Sequence, residues 1–202
     1  MPEGFLALVE QNSNLDPVMY QYFNCYFNRR TIIFNREVDR DIVEAVIVPL
    51  KEFEEDDNSA PVRLILSTPG GSVGDGLILC NIIDNYKKPL EIYVYGYACS
   101  MGTIILCAGN KNPNVKKFCY PFSFGLFHAG YSAIEGESLS VEDQIEFNKR
   151  TDNMIRDYVI NNTNITAEEY KANERRQWYL TAEEMREKGL IDIIIGGDGA
   201  NE

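Results

Sequence analysis

Apolar and polar positions fall into short blocks along most of this chain, and their period switches repeatedly between about two and about 3.6 residues. Residues 30–35 (RTIIFN) are rich in β-branched side chains and predict a strand, whereas 39–53 (DRDIVEAVIVPLKEF) carry helical spacing. Residues 62–67 (VRLILS) read as a buried strand that runs into TPGGSVGDG and then an apolar helical segment ending at Tyr86. Residues 90–95 (LEIYVY) predict a third strand and 122–128 (FSFGLFH) a fourth; between them an apolar run behind Ser100 predicts a buried helix. Strand, crossover helix and strand repeated three times predict an α/β fold, a mainly parallel sheet covered by helices with right-handed connections.

The last third changes character. Ser140-x-x-Asp143 opens a long polar helix reaching about Asn161, and Thr166-x-x-Glu169 and Thr181-x-x-Glu184 both have capping-box spacing. Gly189 stands where a C′ glycine ends a helix, residues 190–195 (LIDIII) predict a closing strand, and 196–202 read as a disordered tail. There is no internal repeat, low-complexity tract or domain linker, and the acidic stretch 52–61 reads as a solvated turn.

Composition narrows the function classes. The 202 residues hold 19 basic and 31 acidic side chains, a formal charge of −12. That balance argues against nucleic acid and anionic membranes as partners, since both need clustered Lys and Arg. No apolar run approaches the roughly 18 residues of a spanning helix. The first residues contain an acid and no basic region, so they do not read as a secretory signal. Five cysteines, odd in number, mostly in apolar runs and without C-x-x-C spacing, read as buried thiols of a cytoplasmic protein.

Ser100 follows one predicted strand and begins a helix, which makes an N-cap its simplest reading. His128, the single histidine, ends another strand, so both side chains are expected at the C-terminal rim where open α/β sheets form their sites. A serine hydroxyl needs a neighbouring base to act as a nucleophile, and neutral imidazole is the usual one. Gly70 and Gly71, after the strand at 62–67, let backbone turn sharply and approach a substrate; the N–H groups of Gly71 and Met101 are then the expected oxyanion donors. Gly-Gly-Ser-Val-Gly lacks the Lys-Ser/Thr of a phosphate loop.

STPGGSVGDGLILCNIID, ACSMG, GLFH and YLTAEEMREKGLID occur in the order and spacing of the proteolytic subunits of the Clp proteases, and from about Arg30 to Ile194 the chain resembles that family. The resemblance implies a ClpP/crotonase-like α/β fold of repeated β-β-α units with a protruding handle helix and a short C-terminal helix and strand. It implies one peptidase domain over 30–195, its handle at about 130–162, behind an axial segment at 1–29. It also implies a serine endopeptidase acting on unfolded polypeptide, with Ser100 as nucleophile, His128 as base, Gly71 and Met101 as oxyanion donors, and residues Gly70, Gly71, Ser72 and Val73 binding peptide as an added strand. The implied assembly is two stacked heptameric rings served by a Clp-type AAA+ unfoldase, which alone uses ATP; no cofactor or metal is implied.

The pattern breaks at the third catalytic residue, an aspartate in the family. Aligned without a gap, Gln177 takes its place; matching Glu174-Arg175 to the family's acidic-Arg pair puts Arg176 there instead. Neither is a carboxylate, and Glu174 is a possible substitute acid. The residues after His128 also depart, with Ala129-Gly130 in place of Gln-Pro. Three readings follow: a working serine peptidase, with a Ser-Lys variant using Lys116 or Lys117; a weak or inactive ring subunit supporting a partner; and an acyl-CoA enzyme of the wider superfold.

Overall fold

The computed structural model describes residues 29–130 and 138–196. The N-terminal segment to residue 28 with Cys25, the first part of the expected handle (131–137) and the tail from 197 lie outside the described residues. β1 (Thr31–Phe34), β2 (Val62–Thr68), β3 (Leu90–Cys99), β4 (Val115–Cys119) and β7 (Ile193–Ile194) form a parallel sheet in the order β1-β2-β3-β4-β7. β5 (Phe124–Phe127) pairs in parallel with the end of β3 and antiparallel with β6 (Trp178–Thr181).

Crossovers are helical, as the period predicts. A π turn (Val43–Ile47) and α1 (Val48–Glu55) join β1 to β2; α2 (Val73–Asp84) joins β2 to β3, and α3 (Met101–Cys107) joins β3 to β4. The long helix α4 (Ser138–Asn162) precedes α5 (Ala167–Asn173), and α6 (Ala182–Glu187) lies between β6 and β7. Two strands have no counterpart in the sequence reading. β4 carries Lys116 and Lys117 in five residues, and β6 is four residues long, so neither offers a sustained apolar period.

The strand at 62–68 is not buried on both faces as expected. Val62, Leu64, Leu66 and Thr68 are buried while Arg63 is exposed and Ile65 half-buried, so the sheet covers a core on one side only. That core holds Phe34, Leu79, Ile83, Ile92, Val94 and Ile105, all without solvent contact. The opposite face carries aromatic pairs between neighbouring strands: Tyr93 on Phe118, Tyr95 on Tyr120 and Tyr97 on Phe124.

Capping follows local sequence closely. Thr181 and Glu184 form a full capping box at α6, and Gly189 takes a φ of +74° behind it. At α5 only half of the box exists: Thr166 accepts from the Glu169 N–H, but the Glu169 carboxylate has turned to Lys188 at 2.8 Å. None of the four cysteines in the described residues is in a disulfide, and Cys80, Cys107 and Cys119 are buried as expected.

Candidate active site

The site depends on a bend in β3. Residues 90–94 of this strand pair with β4, but Gly96 takes a φ of +92°, a conformation glycine adopts without a Cβ penalty, and the strand then continues along β5. The sequence pattern ends this strand at Tyr95; the structure extends it to Cys99 in register Tyr97↔Phe124, Ala98↔Gly125, Cys99↔Leu126. Ser100 therefore stands level with Phe127 at the end of the neighbouring strand, and its N–H donates to the Leu126 carbonyl at 2.7 Å. His128 is the next residue along, so the two side chains reach the same rim.

Ser100 has φ +55° and ψ −122°, a region that costs a non-glycine residue about 1–3 kcal/mol and persists only where surrounding structure enforces it. The enforcing contacts are visible. Thr103, fully buried one turn into α3, places its hydroxyl oxygen 2.7 Å from the Ala98 carbonyl and 2.8 Å from that of Leu126, and accepts from the Leu126 N–H. Ser100 is the N-cap of α3 by position, yet its side chain caps nothing, so the simplest reading of it fails. A serine on a strained strand-to-helix turn presents its hydroxyl above the sheet.

The glycine loop packs against this turn. A Cβ at Gly70, whose φ is +95°, would lie 2.6 Å from both the Cys99 carbonyl and the Ser100 Cβ, and 3.0 Å from the Met101 nitrogen. Gly70 donates to the Thr68 hydroxyl at 3.1 Å. A bridge from Val38 holds the outer edge: the Val38 N–H donates to the Gly70 carbonyl and the Ser72 N–H to the Val38 carbonyl. Those two bonds use Gly70 and Ser72, so the Gly71 N–H and C=O face away from Val38. Met101, as the first helical residue, has no intrahelical acceptor for its N–H. Ser72 caps α2, accepting from the Asp75 N–H, and Val73 lines the adjoining cavity.

That cavity, of about 280 Å³, has Ser100 and His128 in its wall together with Met101, Ile104 and Phe127. Its far side comes from α4, α5 and β6: Asp152, Ile155 and Arg156, then Tyr170, Glu174 and Arg175, then Trp178. Phe127 stacks near Trp178 with ring centres 5.5 Å apart. Of these far-side residues only Glu174 and Arg175 carry a signal in the sequence. Thr103 was the nearest to one, as a polar residue inside the apolar run MGTIILC.

Gln177, at the aspartate's aligned position, is exposed, accepts a hydrogen bond from the Tyr179 hydroxyl at 3.1 Å, and does not line the cavity. Arg176 does not line it either, whereas Glu174 and Asp152 both do. His128 directs Nδ1 at the carbonyl of Ala129, 2.7 Å away. The Ser-Lys expectation is corrected by position. The Lys117 ammonium bonds the Leu106 and Ala108 carbonyls at the C-terminal end of α3, the end opposite Ser100, and Lys116 is exposed on the sheet.

Gly102 supplies a test of the packing behind the turn. A Cβ there would lie 2.5 Å from Thr68 Cγ2, itself fully buried. Gly102→Ala is expected to destabilise the fold by about 1–3 kcal/mol through overpacking, and urea denaturation reads it.

Among the described residues no helix is long and apolar enough to cross a membrane, and no three His, Cys, Asp or Glu side chains converge as a metal site. Comparison with known proteins adds the following. The family model for Clp protease matches residues 13–198. An ATP-dependent Clp protease proteolytic subunit from Cyanophora paradoxa is 28% identical over 166 residues, covering 82% of this chain and 84% of that protein. One of the same description from Dehalococcoides mccartyi strain BAV1 is 24% identical over 194 residues, 96% of each chain.

Proposed function

Because the chain belongs to the Clp protease family, we propose that it is a serine endopeptidase in which Ser100 attacks the peptide carbonyl and His128 is the general base. The observation that carries this reading is the strained turn at Ser100, in the wall of a cavity that His128 shares. The proton of the Ser100 hydroxyl passes to Nε2 of His128 as the serine oxygen bonds to the carbonyl carbon, and the resulting oxyanion sits between Gly71 and Met101. The N–H groups of those two residues receive the charge that develops on the carbonyl oxygen. Collapse of the tetrahedral species expels the amine, which takes the proton back from His128, and water then releases the acyl group by the same steps reversed. The peptide lies along Gly70–Val73, and since Ser72's N–H is occupied by Val38, the Gly71 N–H and C=O are the groups left to pair with it.

The second reading, a weak or inactive subunit within a ring, is favoured by one observation: the bond that His128 makes is to a carbonyl and not to a carboxylate. One experiment decides between them. Incubation with a fluorophosphonate and intact-mass analysis is expected to show a single adduct on the wild type and none on Ser100→Ala. An assembled wild type with no adduct selects the inactive subunit.

We also assign this chain to an assembly of two stacked heptameric rings that receives unfolded polypeptide from a Clp-type AAA+ ATPase. Support comes from the exposed aromatic face, where Tyr95, Tyr97, Tyr120 and Tyr179 are each more than a third exposed and Phe122 almost wholly so. Such a face on a lone chain marks an interaction surface. Native mass spectrometry is expected to show an oligomer; a species of 23.0 kDa alone at micromolar concentration overturns the assembly.

A further inference from the structure

We propose that the main-chain carbonyl of Ala129 performs the orienting half of the missing acid's work, locking His128 in the tautomer that presents Nε2 to Ser100. The inference rests on the Ser100–His128 reading above. A carbonyl oxygen can only accept, so a hydrogen bond 2.7 Å long between it and Nδ1 requires the proton to sit on Nδ1. In neutral imidazole the other nitrogen is then the lone-pair base. Ala129 and Gly130 themselves bring no competing polar side chain to this turn.

The alternatives are less well placed. Gln177 is engaged by Tyr179 outside the cavity. Among the described residues, the charged groups that share the cavity with His128 are Asp152 and Arg156 from α4 and Glu174 and Arg175 just past α5. Arg156 is turned to Asp157 and Asn153, at 2.8 Å from each. Among the described residues, the bond formed by the imidazole is the one to Ala129.

The chemical consequence separates two roles that an aspartate combines. Converting a triad aspartate to asparagine costs about 10⁴ in turnover chiefly by selecting the wrong tautomer. A carbonyl acceptor selects the right one, and omits only the negative charge that stabilises the imidazolium. Ala129 is thus a positioning group, acting through His128.

The single histidine makes the test direct. The full chain in its native assembly, labelled with ¹⁵N-histidine, gives one pair of imidazole resonances for the neutral ring. A pyrrole-type Nδ1 with a pyridine-type Nε2 is expected, in the wild type and equally in Asp152→Asn/Glu174→Gln. The reverse assignment, or an averaged pair, overturns the proposal. So does loss of the Nδ1–H tautomer in the double variant, which transfers the role to a carboxylate. Fluorophosphonate labelling on the same samples keeps the two readings apart: labelled Ser100 with the wrong tautomer sinks the Ala129 role alone, whereas an unlabelled, assembled protein with the Nδ1–H tautomer sinks the peptidase reading alone.

Discussion

His128→Ala is expected to slow acylation of Ser100 by about 10³–10⁴-fold, well short of the roughly 10⁶ by which loss of the serine or histidine disables a complete triad. The floor follows from subtraction. If the absent acid removed all the help an aspartate gives, about 10⁴, the histidine would retain only about 10². Because Nδ1 already has an acceptor in Ala129, the histidine starts above that floor. The rate of fluorophosphonate adduct formation, followed by intact mass against Ser100→Ala as the zero, measures it. A fall under tenfold would show that another group takes the proton. Lys117 is excluded from that role by its place at the opposite end of α3.

Lys117→Met is expected to destabilise the fold by about 3 kcal/mol at pH 7, because it leaves buried acceptors with no donor. The Lys117 ammonium is 1% exposed and holds the Leu106 carbonyl at 2.6 Å, the Ala108 carbonyl at 2.9 Å and the Asn110 side-chain oxygen. Asn110 in turn donates to the carbonyls of Asn162, at the end of α4, and of Gly189. Asp192 accepts from the Lys117 N–H at 2.7 Å, so one residue ties α3 and β4 to the segment that ends in β7. Methionine keeps the length of the side chain, which separates the lost donors from a lost volume.

The same residue sets a pH dependence. Burial pushes the Lys117 ammonium down to about 8 from an ordinary value of 10.5. Between those values the unfolded chain holds a proton that the folded one has released, so this group's contribution to stability rises with pH through that window. Below pH 8 both states are charged and the cost of burying the ammonium is present in full. The stability gap between wild type and Lys117→Met is therefore expected to widen from pH 8 towards 10, read by urea denaturation at each pH. A gap that narrows contradicts the burial of a charged amine.

Particular residues show why some of this was legible in sequence. The β-branched block before Asn35, the apolar block at 62–67 and the Thr181–Glu184 capping box are short-range signals, each settled by neighbours within a turn or a strand. The order of the motifs around Gly70, Ser100 and His128 was legible for the same reason, and so was the absence of a carboxylate at Gln177. The bend at Gly96 was not, since a glycine in a strand does not say which neighbour the chain turns towards. Nor was the place of Lys117, offered by the sequence as a possible base for Ser100 until α3, laid over β4, puts its ammonium at the far end of that helix.

The sequence by itself determined the fold class, the family and the placing of Ser100 and His128 at the ends of strands, because periodicity and motif spacing are local properties of the chain. Only the tertiary structure decided what surrounds that pair. It brought Asp152, Tyr170, Glu174 and Trp178 to the cavity, turned Gln177 away from it, and gave the imidazole a carbonyl as its partner. The cavity wall joins residues as far apart as Val73 and Trp178 through helix packing on a bent strand, and no window of sequence spans them.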